Sequence, residues 1–142
     1  MMKKIDLVLL VEDDPITNYI NCRLINKVGA ASEIQVALNG HDALTMIKER
    51  IQNNECCPDL IFLDINMPVM DGFEFLERFR RLDFPNKEKV VIVMLTTSTH
   101  MKDMDKLGSF GNSELISKPL NQEKLLAVTS KYFNHTGFSK IA

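Results

Sequence analysis

Residues 7–15 run Leu7-Val8-Leu9-Leu10-Val11-Glu12-Asp13-Asp14-Pro15. An unbroken apolar run meets three carboxylates and then a proline. A run that is apolar at both odd and even positions suits a strand covered on both faces, as in a parallel sheet. Asp14 suits a helix N-cap, and Pro15 suits the first helical position, where a missing N–H is no loss. The stretch therefore predicts a strand, an acidic turn and a helix. Ile16, Ile20, Leu24 and Val28 recur every fourth residue along that helix, and Gly29 ends it.

The alternation repeats down the chain. Residues 33–38 read as a second strand closed by an Asn39-Gly40 turn, and residues 41–51 as a helix burying Ala43, Leu44, Ile47 and Ile51. Residues 59–64 form a third strand around Leu60-Ile61-Phe62-Leu63. Asp71 then resembles an N-cap with Glu74 three positions on, the spacing of a capping box, and the helix buries some of Phe75, Leu76, Phe79 and Leu82. Residues 90–95 are a fourth strand, 99–107 a short helix stopped by Gly108, and 114–117 a short fifth strand. Asn121 caps a last helix ending near Phe133, with Leu120 and Leu125 placed to staple its start. Five strand–helix units predict an α/β fold: a five-stranded parallel sheet, doubly wound, with right-handed crossovers placing helices on both faces. The expected organisation is one domain over 1–133 and a short, loose C-terminal tail over 134–142.

Bulk properties narrow the classes. The chain has 142 residues and a formal charge of −2, with 45% hydrophobic and 25% charged residues. That is an ordinary globular mixture, large enough to fold alone, and not a disordered or collagenous one. It carries no basic footprint for nucleic acid, and no apolar run reaches the ~18 residues of a membrane span. The start, Met1-Met2-Lys3-Lys4-Ile5, reads as the approach to a strand rather than a signal peptide. Cys22, Cys56 and Cys57 are odd in number and form no CxxC, so they read as free thiols in a reducing cytoplasm.

In open α/β sheets, ligands bind beyond the carboxyl ends of the strands. The polar residues there are Glu12-Asp13-Asp14 after the first strand, Asp64 after the third, Thr96-Thr97-Ser98 after the fourth and Lys118-Pro119 after the fifth. Carboxylates that close need a proton or a cation, because two at ~4 Å repel by about 4 kcal/mol at an effective dielectric near 20. An all-oxygen set suits a hard cation, and Mg²⁺ uses one or two carboxylates together with a phosphate. Asp64, ionised at neutral pH, can attack a phosphoryl group without a base. Lys118 and the metal would hold the equatorial oxygens, and Thr96 would donate to one of them.

Four segments, VLLVEDDP, LIFLDINMPVMDG, VVIVMLTTS and ISKPL, carry a resemblance to the receiver domain of two-component response regulators, over about residues 7–133. The resemblance implies a flavodoxin-like strand order of 2-1-3-4-5. It implies Asp64 as phosphoacceptor, and Glu12 and Asp13 as the acidic pair at Mg²⁺, with Asp13 favoured as direct ligand. Asn66 would lend the metal its backbone carbonyl, and Thr96 would be the switch hydroxyl. Lys118 would contact the phosphoryl group and precede a cis proline. It also implies a sensor histidine kinase or histidine phosphotransfer protein as donor, and a downstream protein of unstated identity as target. Homodimerisation stays open.

The sequence departs from that pattern at Leu115, where many members carry Tyr or Phe. A leucine has no ring to swing, so the usual hydroxyl–aromatic coupling is in doubt. A hydrogen bond from Thr96 is worth roughly 1.5–3 kcal/mol, against about 5.5 kcal/mol to invert a 1:99 population. Either Lys118 must engage as well, or the two states are nearly balanced. Met101, Met104 and Leu107 on the expected short helix are candidates for a partner surface. The competing readings are a phosphorylation-independent docking module of the same fold and, further off, a Mg²⁺-dependent phosphohydrolase. The latter would want a second acid where Asn66 stands. An FMN site is disfavoured, since Glu12-Asp13-Asp14 would repel its phosphate. The chain is therefore expected to be a signalling module without enzymatic turnover.

Overall fold

The computed structural model describes residues 4–65, 67, 70–96 and 112–133. Five strands form one sheet: β1 (Ile5–Val11), β2 (Ala31–Ala37), β3 (Leu60–Asp64), β4 (Val91–Thr96) and β5 (Asn112–Ser117). Their order is β2-β1-β3-β4-β5, and every pairing is parallel. The described helices are α1 (Pro15–Val28), α2 (Gly40–Gln52), α3 (Gly72–Arg80) and α4 (Gln122–Phe133), with a 3-10 turn at Lys87–Lys89. The expected helix over 99–107, with Met101, Met104 and Leu107, lies outside the described residues, as do Asn66, Thr97, Ser98 and the tail over 134–142.

Alternate residues of the central strands feed two cores. Leu9, Val11, Ile61, Leu63, Ile92 and Met94 pack on one face against Ala43 and Ile47 of α2 and Phe75 and Phe79 of α3. Val8, Leu10, Leu60, Phe62, Val91 and Val93 pack on the other against Ile25 of α1 and Leu125 and Val128 of α4. All of β3 and β4 is buried, which explains their continuous apolar runs. Removing a large side chain here, as in Phe62→Ala, costs about 3–5 kcal/mol.

The local signals hold with some corrections. Asp14 caps α1, accepting from Ile16 N and Thr17 N, and Gly29 closes it at φ 69°, the left-handed backbone that glycine adopts without strain. Asp71 caps α3 through Glu74 N at 2.8 Å. The carboxylate of Glu74 runs along the helix to Arg78 at 3.2 Å, so the cap rests on Asp71. Asn39 is the N-cap of α2, accepting from Asp42 N at 2.8 Å, and Gly40 is the first helical residue. The Asn-Gly pair thus starts a helix instead of making a free-standing turn.

The larger correction concerns α1. Its apolar series does not face the sheet throughout: Ile16 is 68% exposed, Tyr19 62% and Ile20 54%, while Asn18, Asn21 and Ile25 are buried. The cause is helix geometry: at about 100° per residue, positions four apart drift by about 40° at each step. Leu24 and Val28 therefore pack on the core while Ile16 and Ile20 do not, and Asn18, on the buried side, donates to Glu12 O at 2.9 Å. Ile16, Tyr19 and Ile20 are left on the outside.

Candidate functional site

The carboxyl edge of the sheet gathers its polar residues from four segments. Glu12 comes directly after β1 and is tied to the end of β2 by Glu12 N donating to Ala37 O at 3.0 Å. Its side chain is buried, and Glu12 Oε2 accepts from Asp14 N at 3.1 Å. Asp13 is exposed. Asp14 turns away to cap α1, accepting from Thr17 Oγ1 at 2.6 Å, and this hydroxyl above all holds its pKa down. Asp64 ends β3 and is buried; Thr96 ends β4 and is fully buried. Register places Asp64 beside Leu95, and Thr96 beside Ser117, the residue before Lys118.

Lys118 crosses the gap. Its Nζ lies 2.9 Å from Asp64 Oδ1 and 3.7 Å from Glu12 Oε1. Its own N–H donates to Thr96 O at 2.6 Å, and the Lys118–Pro119 peptide is cis. Glu12, Asp13 and Asp64 each offer a carboxylate oxygen, and these atoms lie within 4.8 Å of one another. At that spacing, ionised pairs repel by roughly 3–4 kcal/mol each at an effective dielectric near 20. Glu12 shows the strain. Burial pushes its pKa up to about 7; the Asp14 N–H opposes the shift, Asp13 and Asp64 reinforce it, and Lys118 pulls it back. One ammonium among three carboxylates leaves the cluster negative, so it favours a cation of oxygen preference.

Gly72 explains how α3 can start so close to Asp64. A Cβ there would sit 2.8 Å from Met94 Cε, 2.9 Å from Ile65 Cα and 3.2 Å from Asp64 O. Only glycine lets the first turn of α3 close on the end of β3, and any larger residue would push that strand end away.

Glu12, Asp13, Asp64, Thr96 and Lys118, singled out in the sequence, therefore stand on one edge. Leu115 is buried in the core on the α2–α3 side; Asn66, Met101 and Met104 lie outside the described residues. Sequence reasoning misses Asn18, which ties α1 to the Glu12 carbonyl. A lone asparagine four residues past a helix cap carries no signal of that role. The exposed Ile16–Tyr19–Ile20 face is legible only in principle, as an apolar i, i+3, i+4 set interleaved with asparagines.

Comparison with known proteins agrees with this geometry. Residues 8–130 match the model of the response regulator receiver domain. The chain is 30% identical over 132 residues to a probable C4-dicarboxylate response regulator, DctR, of Priestia megaterium, covering 93% of this chain and 54% of that protein. It thus spans about half the length of that relative. A crystal structure of a two-component response regulator from Cytophaga hutchinsonii superposes with a TM-score of 0.82 at 32% identity, covering 93% of this chain and 99% of that one. The receiver domain of the sensor histidine kinase PA1611 of Pseudomonas aeruginosa has a TM-score of 0.71 at 22% identity, covering 91% and 98%, and shares the fold. That protein holds a magnesium ion in its active-site cleft. Among the described residues of the present chain, no helix is long and apolar enough to cross a membrane. A match across nearly all of the sheet and its edge assigns the chain to the response-regulator receiver-domain family, a family of phosphoacceptor signalling modules.

Proposed function

We propose that Asp64 is the phosphoacceptor of this receiver, taking its phosphoryl group from a phosphohistidine of a sensor kinase or histidine phosphotransfer protein. The observation that carries this reading is the 2.9 Å contact between Lys118 Nζ and Asp64 Oδ1 inside the three-carboxylate cluster. The donor set fits Mg²⁺: it is all oxygen, negative, and supplied by Glu12, Asp13 and Asp64, with the Asn66 backbone carbonyl proposed as a further ligand. When bound, the metal would neutralise charge on the phosphoryl oxygens and orient the group.

A carboxylate oxygen of Asp64 attacks phosphorus as the P–N bond to the donor imidazole breaks; the imidazole keeps the bonding pair and takes up a proton. No base is needed, since an aspartate is already an anion at neutral pH. Lys118 balances the charge that collects on the transferred group. Thr96, buried beside it at the end of β4, supplies a hydroxyl that turns toward an acyl-phosphate oxygen and gains a charge-assisted hydrogen bond worth roughly 1.5–3 kcal/mol. With leucine at position 115, this motion couples to no ring on β5. The receiver is proposed to span 1–133, with 134–142 as a tail, and to work in the cytoplasm on a separate target protein. The apolar outer face of α1, beside the acidic edge, is proposed to dock the donor.

Incubation with acetyl phosphate and Mg²⁺ is expected to add one phosphoryl group per chain by intact-protein mass spectrometry. Chelation of the metal and Asp64→Asn are each expected to abolish it. Stoichiometric, lasting labelling of Asp64→Asn would overturn the assignment.

A further inference from the structure

Lys124 breaks a local rule. It is the third residue of α4, its N–H capped by Asn121 Oδ1 at 2.8 Å. The first turn of a helix is the positive end of the dipole, and a capping box would place Glu or Gln at this position. A lysine there is unfavourable unless its charge is used elsewhere, and residues that contradict local preference concentrate at functional sites. Its ammonium in fact turns back from the helix. It donates to Ser117 O at 2.8 Å, to Ser117 Oγ at 3.2 Å and to Pro119 O at 3.2 Å.

Ser117 and Pro119 are the two chain neighbours of Lys118. Lys118 N is itself held by Thr96 O at 2.6 Å. The backbone is therefore tied on both sides of Lys118 and at Lys118 itself. The long side chain that reaches Asp64 and Glu12 starts from a fixed root. An ammonium on a flexible four-carbon stem gains most from such anchoring, because less freedom is lost when it engages its target.

We propose that Lys124 is a positioning residue for Lys118, fastening the β5–α4 loop so that the Lys118 ammonium is aimed at the group on Asp64. This rests on the reading of Asp64 and Lys118 given above. Their failures are distinguishable, since the acceptor is tested by labelling Asp64 variants and the anchor by beryllofluoride affinity of Lys124 variants.

The test uses beryllofluoride with Mg²⁺, a non-covalent phosphoryl mimic, titrated calorimetrically into the wild type, Lys124→Met, Lys124→Gln, Lys124→Arg, Lys118→Ala and the Lys118→Ala/Lys124→Met double variant. Lys124→Met is expected to bind beryllofluoride about tenfold more weakly, the loss of roughly one charge-assisted hydrogen bond at Lys118. Lys124→Arg is expected to recover most of that affinity, and Lys124→Gln, too short to span both carbonyls, to behave like Met. The double variant is expected to be no weaker than Lys118→Ala alone, the non-additivity of one residue acting through another. Affinity for Mg²⁺ alone is expected to hold in Lys124→Met, because Glu12, Asp13 and Asp64 are untouched. Full beryllofluoride affinity in Lys124→Met would overturn the proposal, and so would an equal loss in the Lys118→Ala background. Weakened Mg²⁺ binding in Lys124→Met would also overturn it, by showing general damage to the edge.

Discussion

Strand β3 has an aspartate at each end, and the two have opposite fates. Asp59, just before the strand, is latched into the backbone of its neighbours: Oδ2 accepts from Leu7 N at 3.1 Å, its own N–H donates to Leu7 O at 2.9 Å, and its carbonyl accepts from Val91 N at 3.0 Å. It borders a cavity of about 390 Å³ lined in part by Cys57, Phe84 and Asn86. Asp64, at the other end, faces an ammonium and sits among other carboxylates. Both ends lead into loops, and both hold a partly or fully buried acid. The neighbours differ: at Asp59 a backbone N–H makes the carboxylate a clasp between strands, whereas at Asp64 an ammonium and two further carboxylates crowd the side chain.

The largest test of this contrast is a pair of matched substitutions. Asp64→Asn is expected to lose all phosphoryl uptake, whereas Asp59→Asn keeps an acceptor for Leu7 N and is expected to label at a rate within about twofold of wild type. Rates from acetyl phosphate, followed by mass spectrometry, separate the two. A comparable loss in Asp59→Asn would break the distinction.

The ends also differ in what surrounds them. The exposed large hydrophobics among the described residues are Ile16, Tyr19, Ile20, Val36 and Leu38. They fall on the first turns of α1 and at the finishing end of β2, hence toward the acidic edge. If that apolar skirt docks a donor protein, Ile16→Ser with Ile20→Ser is expected to slow transfer from a phosphohistidine-bearing kinase domain by about tenfold, the cost of losing interface anchors. Transfer from acetyl phosphate, which needs no docking, is expected to stay at the wild-type rate. Equal slowing with both donors would show that the face serves the site internally instead.

Much of this is legible in the sequence for one reason. Strands buried on both faces give unbroken apolar runs such as Leu60-Ile61-Phe62-Leu63, and the polar residues at the end of each run must lie on the sheet edge. Order alone therefore assembles Glu12, Asp64, Thr96 and Lys118. Periodicity fails where the repeat does not match the helix. The i, i+4 series in α1 is real, but it drifts around the helix, so Leu24 and Val28 pack on the core while Ile16 and Ile20 stay exposed. Nor does composition tell that Glu12 is the buried acid and Asp13 the exposed one, since that depends on how the chain leaves β1 toward Asn18 and Asp14. Lys124 is hidden for a similar reason: a lysine in a helix reads as surface until its ammonium is seen folded back onto the preceding loop.

The smallest effect belongs to Asp59 and concerns pH. Burial raises its pKa above the ordinary carboxylate value; the Leu7 N–H opposes the shift and Asp6 reinforces it. A pKa raised by folding means that the folded state prefers the neutral acid. That preference is fully present below the unfolded value and is lost as pH climbs through the raised one. Asp59→Asn carries no charge to lose, so its stability relative to wild type is expected to improve over that same interval. The gain should stay below about 1 kcal/mol, because the site is only partly buried and solvent screens Asp6. Urea titrations of both proteins, from about pH 4 to 7, read it directly. A difference that does not change with pH would mean that Asp59 ionises there without penalty. In that case the Leu7 N–H offsets the cost of burial at Asp59 in full, and the backbone clasp would hold a charged carboxylate as readily as a neutral one.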